Sequence, residues 1–205
     1  AFAMAACVIP LAKYGQQAST ENTQSPRLSL WQLTRQALRI RSYVLLLIGF
    51  YVCGYHLAFI TVHMPGYVVD LGFSAQVGAW SIGMIGLCNV VGAYYSGVLS
   101  GKRPKHTMLS AIYVARAIAI LAFLLAPPSL VSILGFSAAM GFLWLSTIPP
   151  TSGLVAQFFG VRNMPYLYGL VFLSHQLGSF SGVWLGGYLY ETTGSYDGIW
   201  LSGVA

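Results

Sequence analysis

Apolar residues run along this chain in long stretches separated by short polar breaks. A helix needs about 20 residues to cross a hydrocarbon layer. Five stretches reach that length, at about residues 43–69, 75–99, 107–125, 130–158 and 165–190, and a sixth begins near residue 198. The breaks carry turn chemistry, as in Gly101-Lys102-Arg103-Pro104 and Ala126-Pro127-Pro128-Ser129. The stretch at 130–158 is longer than the layer is thick, so it must tilt or bend. The pattern predicts an all-α polytopic membrane protein.

Residues 1–11 are apolar but too few to span, and they read as the tail of a preceding transmembrane helix with Pro10 near its exit. Since the chain also ends inside an apolar run, a fragment of a longer polypeptide is expected. Residues 12–42 form a polar inter-half loop with a short helix at its end. Ser29 and Gln32 have capping-box spacing. Leu30, Leu33, Ala37 and Ile40 share one face of that helix, and Arg35 and Arg39 take the other. A basic amphipathic helix lying among lipid headgroups is the prediction. The transmembrane bundle is expected to occupy 43–205.

Composition excludes a soluble domain. The 205 residues are 57% hydrophobic and 7% charged, where a soluble domain carries about 25% charged residues. The net charge of +6 is not that of a nucleic-acid binder, because Lys and Arg cluster in the breaks. Lys13, Arg27, Arg35, Arg39 and Arg41 precede the first complete span, Lys102, Arg103 and Lys105 follow the second, and Arg162 follows the fourth. All of these fall on one side. Asp70, Glu191 and Asp197 fall on the other. The positive-inside rule then predicts a multi-pass protein of a plasma (inner) membrane, with its basic loops cytoplasmic and the lipid bilayer as its first partner.

Chemistry-bearing motifs are few. Cys7, Cys53 and Cys88 stand singly in apolar segments, so neither a disulfide framework nor a zinc site is predicted. The sequence has no His-Glu-x-x-His, no Gly-x-Ser-x-Gly and no phosphate-binding loop. Gly178-Ser-Phe-Ser-Gly182 has Phe180 where a nucleophile would stand. No catalytic residue, metal or cofactor is expected, and the protein is predicted not to be an enzyme.

A motif recurs. Gly97-Val98-Leu99 closes the second complete span and Gly187-Tyr188-Leu189 closes the fifth, so the two emerge on opposite sides of the bilayer. Paired three-helix units of inverted topology are common in secondary transporters. The chain here resembles the second half of the twelve-helix major facilitator superfamily. The signature loop of that superfamily, Gly-x-x-x-Asp-Arg-x-Gly-Arg-Arg, is matched at Gly97, Lys102, Lys105 and His106, with Gly101 in place of the acid, Pro104 in place of the second glycine and Arg103 at the unspecified position between them. Leu167-Tyr-Gly-Leu170, Ser174-His-Gln-Leu-Gly178 and Gly186 to Tyr196 are similar to the eleventh helix of many bacterial members. Within the superfamily, the chain looks closest to monocarboxylate-porter-like and oxalate/formate-antiporter-like members.

The resemblance implies a truncated six-helix half built from two inverted three-helix repeats. It implies an N-terminal half as partner, and alternating access without nucleotide. On the first complete span, His56 and His63 lie seven residues apart and share a face with Gly49, Phe59 and Tyr67. Pro65-Gly66 follows, where a bend or unwinding is expected. Ionisable residues inside a membrane usually face a cavity or a bundle interior, and histidine exchanges protons near neutral pH. His56, His63 and Tyr67 are therefore candidates for a substrate pathway and a coupling proton. Trp144, Thr147 and Thr151 are further candidates, with Pro149 and Pro150 as a kink or gate among them.

Arg116 is the one charge at mid-membrane depth. Its helix would be the peripheral ninth, so its guanidinium is expected to bond groups on adjacent helices, with anion binding as the alternative. Gly178, Gly182 and Gly186 form a small-residue ridge that Gly92 and Ser96 repeat on the second span. The resemblance implies that these two helices form a sliding interface between halves. Asn89 and His175 are expected to bond between helices. The function expected is a secondary carrier for a small organic anion such as a monocarboxylate. A drug or hydrophobic-compound exporter and a non-transporting receptor or scaffold stay open beside it.

Overall fold

The computed structural model describes residues 29–204. The helix tail expected at 1–11 and the loop as far as residue 28, with Cys7, Pro10, Lys13 and Arg27, lie outside the described residues. The elements are α1 (Leu30–Leu38), α2 (Arg41–Asp70), α3 (Ala75–Ser100), α4 (Lys105–Leu125), α5 (Leu130–Leu143), a 3-10 turn (Leu145–Thr147), α6 (Ile148–Thr193) and α7 (Asp197–Val204). No strand occurs among the described residues. Arg41–Asp70, Ala75–Ser100, Lys105–Leu125 and the stretch Leu130–Thr193 are each long and apolar enough to cross a membrane. The protein is an all-α, multi-pass membrane protein.

α1 starts with the capping box its sequence predicts: Gln32 N–H donates to Ser29 Oγ at 3.3 Å, and Ser29 N–H to Gln32 Oε1 at 3.0 Å. Its apolar face is divided, with Leu30 60% exposed. Leu33 and Ala37 are buried against the bundle, and Thr34 shares a 2.8 Å hydroxyl bond with Tyr166. α2 then rises from Arg41 for 30 residues, or about 45 Å at 1.5 Å per residue. It stays helical through Pro65 and Gly66, so the chain does not unwind there. The proline is accommodated because Gly78 of α3 faces it, where a Cβ would lie 3.1 Å from Pro65 Cα.

The stretch expected as one span at 130–158 is broken. α5 stops at Leu143, the 3-10 turn intervenes, and α6 begins with Pro149 and Pro150 in its first turn. The cause is local. Two prolines have no N–H to continue the helix ladder, yet they fit a new helix start, where those donors are unused.

α6 is itself two limbs joined at Gly160, whose φ of 75° and ψ of 159° lie outside helix geometry and suit only glycine. The first limb runs antiparallel to α2: Phe159 packs on Tyr43 with ring centroids 5.2 Å apart, and Thr147 meets Cys53. The second runs parallel to α2. Leu167 accepts from Tyr43, Ser174 donates to Leu47, and Gly186 lies against His63. The chain therefore reverses at Gly160, and Leu130–Thr193 crosses the layer twice.

Two helix pairs hold the bundle together. The second limb of α6 lies on α2, where a Cβ at Gly178 or Gly182 would strike the carbonyl of Tyr51 or Tyr55. α5 lies on α3, where a Cβ at Gly92 or Gly141 would strike the carbonyl of Phe142 or Ile85. Each pair joins the first helix of one three-helix unit to the second helix of the other, and the second unit runs in the opposite sense. α7 closes the remaining side with Trp200, which is fully buried against Phe59, Phe123 and Phe136.

These directions sort the charges. Arg35, Arg39, Arg41, Lys102, Arg103, Lys105 and Arg162 gather at one end of the bundle. Asp70, Glu191 and Asp197 gather at the other.

Candidate functional site

A cleft of about 290 Å³ opens between α2, the broken stretch around the 3-10 turn, and the second limb of α6. Its walls include Phe50, Trp144 and Phe172, and its polar groups are Cys53, Thr61, Thr147, His175 and Ser179. Cys53 stands near the middle of α2, so the cleft lies at mid-membrane depth.

The helix break shapes this cleft and creates a need that Arg116 meets. Ending α5 at Leu143 leaves backbone carbonyls without helical donors. The Arg116 guanidinium reaches across from α4 and donates through Nη2 to the carbonyls of Leu143 and Trp144, each at 2.6 Å. Through Nη1 it donates to Cys53 Sγ at 3.0 Å. A cation at a helix C-terminus also complements the helix dipole. Arg116 has no solvent exposure, so a full positive charge sits directly behind the Cys53 wall. The lining contains no carboxylate.

His175 forms the opposite wall. Its ring stacks on Phe172, with centroids 5.5 Å apart and planes 4° from parallel, and it leans on Phe50 at 5.3 Å. The Ser179 hydroxyl donates to the His175 carbonyl at 3.0 Å. Gly54 has no room for a Cβ against that same carbonyl. Backbone contact and ring stacking together hold the imidazole at the cleft.

Among the residues the sequence nominates for a pathway, Trp144 and Thr147 line this cleft and the others stand elsewhere. His56 is buried against the α7 side, next to Gly203, with neither ring nitrogen partnered among the described residues. His63 Nε2 donates to the Val183 carbonyl at 3.1 Å, locking α2 to α6. Tyr67 packs on Trp200 at 5.3 Å, near the acidic end. Thr151 is buried one turn beyond Thr147, and its hydroxyl has no partner among the described residues. The seven-residue spacing does give His56 and His63 a common face. That face turns toward α7 and α6, while Phe50, Cys53, Leu57 and Thr61 carry the cleft face. Phe172, His175 and Ser179, at i, i+3 and i+7 on the second limb, are the corresponding signal on its partner helix.

The small-residue ridge packs helices inside this bundle. Gly92, Ser96, Gly178, Gly182 and Gly186 are buried within this bundle, and they seat α3 on α5 and α2 on α6. Gly92, Gly178 and Gly182 lie against backbone of this chain, and Gly186 lies against the His63 ring. Asn89 belongs to the same seam, its Oδ1 accepting from Leu145 N–H at 3.0 Å. Gly97, Lys102 and Arg103 lie exposed at the basic end, where the Lys105 stem covers Gly153, away from the cleft.

The family model described as Major Facilitator Superfamily matches residues 1–183. The chain belongs to that superfamily. A stretch of 99 residues, 48% of this chain, is 28% identical to the "Uncharacterized MFS-type transporter YhjX" of Escherichia coli (strain K12). The stretch spans 25% of that relative's length. Inverted repeats of this kind form sites near the bilayer midplane, at the repeat interface and beside interrupted helices. In this superfamily member the cleft meets all three conditions. It lies at mid-depth, between α2 of one unit and the broken helix and second limb of the other.

Proposed function

We propose that this chain is part of a secondary active transporter, and that the cleft beside the broken helix is its contribution to the substrate path. The observation that carries the proposal is the pairing of that break with a buried guanidinium and a stacked histidine at mid-membrane depth. Alternating access is the mechanism the family implies: two bundles rock about a central site, and an ion or substrate gradient drives them.

A small organic anion, such as a monocarboxylate, fits best. Arg116 places a positive charge behind the cleft wall with no carboxylate beside it among the described residues, and no carboxylate lines the cleft to repel an anion. A proton is the coupling ion proposed, with His175 as the cleft histidine that carries it. The basic end is proposed to face the cytoplasm of a bacterial-type inner membrane. A second reading, export of a hydrophobic compound, draws on the aromatic walls at Phe50, Trp144 and Phe172.

Counterflow in proteoliposomes made with the full-length protein tests these readings together. Exchange of small carboxylates, reduced at least tenfold in His175→Ala and with an altered pH profile in His175→Gln, is the expected result. Exchange of hydrophobic compounds alone would favour the second reading. No exchange of either class would return the protein to a receptor or scaffold role.

A further inference from the structure

The junction of α1 and α2 forms a second feature, which the transport cleft does not use. A groove of about 230 Å³ is lined there by Leu38, Arg39, Arg41, Val44 and Leu45. Two guanidinium-bearing residues stand at its upper rim, and both are exposed. Below them the wall is aliphatic. Arg41, Val44, Leu45 and Ile48 fall at i, i+3, i+4 and i+7 on α2, so one helix face carries a cation above an apolar ridge. Ile48 keeps 49% of its surface exposed.

α1 extends the same division of chemistry. Its buried side, Leu33 and Ala37, is used up against the bundle. Trp31 and Leu38 are 74% and 50% exposed and share a face at i and i+7. Arg35 and Arg39 join the same exposed side, where they line an adjoining groove. The described carboxylates, Asp70, Glu191 and Asp197, lie at the far end of the bundle. None is within reach to neutralise these arginines. An exposed tryptophan at the mouth of a spanning helix is a headgroup-level anchor. A guanidinium next to it is a fork suited to a phosphate diester.

We propose that this groove is a binding site for an anionic phospholipid. The phosphate sits between Arg39 and Arg41, and an acyl chain descends over Val44, Leu45 and Ile48. A neutral zwitterionic lipid supplies the same chain but brings its own cation to the rim, so the site selects by headgroup charge. This fixes the angle between α1 and α2, and hence the point at which the preceding loop enters the bundle. The inference rests on the multi-pass fold and is independent of what the protein transports.

Native mass spectrometry of the full-length protein, titrated with phosphatidylglycerol or with phosphatidylcholine of identical acyl chains, tests the proposal. Phosphatidylglycerol should be retained in preference. Arg39→Gln/Arg41→Gln should lower its retention roughly tenfold or more, the scale expected for removing two surface cations. Lys102→Gln/Arg103→Gln, which removes two cations of the same end outside the groove, should leave retention unchanged. Leu45→Trp keeps both charges and fills the groove, so it should also lower retention, and it covers the case in which the arginine pair is needed for folding. Equal retention of the two lipids would overturn the site. So would unchanged retention in both groove variants, or a comparable loss in the control pair. Displacement of the lipid by millimolar inorganic phosphate would overturn it as well, since that describes a free-anion site without an acyl chain.

Discussion

At the scale of single residues, the fold turns on what the terminal nitrogens of a buried arginine bond to. Arg116 has no acid beside it among the described residues, yet it makes two 2.6 Å bonds to carbonyls that the break in α5 frees, and a third to Cys53. Hydrogen bonds to a charged group each contribute about 1.5–3 kcal/mol, and a carbonyl left bare in the interior costs the full desolvation penalty. Arg116→Ala should therefore destabilise the protein by roughly 3 kcal/mol or more, read as a lowered unfolding temperature of the purified protein in detergent. Arg116→Lys keeps the charge but not the planar fork, so it should fall between the two. A wild-type melt for the alanine variant would show that the break holds itself. The sequence makes Arg116 conspicuous as a lone charge in an apolar run, but it does not name the partners. Those are main-chain atoms set free by a break in another helix. His56 and His63 illustrate the same difficulty from the other side. Periodicity groups them on one face, and only packing decides that this face meets α7 and α6 instead of the cleft.

Elements meet through glycine. The Gly178 and Gly182 positions touch carbonyls of Tyr51 and Tyr55, whereas Gly187, on the same helix, has nothing within 4 Å of a would-be Cβ. An added methyl at the first two must push α2 away from α6, and overpacking of this kind costs about 1–3 kcal/mol. Gly178→Ala and Gly182→Ala should each lower the unfolding temperature. Gly187→Ala should leave it unchanged or raise it, since alanine is the better helix former. Equal effects at all three positions would remove the seam from the account. The Gly-x-x-x-Gly pattern is legible in the sequence as close helix packing. Its partner is not, because the same ridge serves equally well against a helix of this bundle or of another one. The double proline at 149–150 and the glycine at 160 are legible as interruptions in the same way. Whether each bends, breaks or reverses the chain depends on what the neighbouring helices allow. Pro65 leaves its helix whole because Gly78 makes room for it.

At the scale of the molecule, charge and direction agree. The helix count and the alternation of charged loops follow from run length and punctuation alone, since a bilayer imposes both with little help from tertiary contacts. In the folded bundle seven described Lys and Arg residues collect at one end and the three described acids at the other. A basic end of this kind is held on the cytoplasmic side during insertion, and that orientation has a direct test. Ser74 and Gly101 are both exposed, one in the turn at the acidic end and one in the turn at the basic end. Gly101 has an ordinary right-handed φ of −76°, so a side chain there is unstrained. With Cys7, Cys53 and Cys88 replaced by serine in the full-length protein, Ser74→Cys should react with a membrane-impermeant maleimide on intact cells. Gly101→Cys should react only after permeabilisation. The reverse pattern would place the basic end outside. The loop charges would then fail as the determinant of topology, although the bundle and its cleft would be the same.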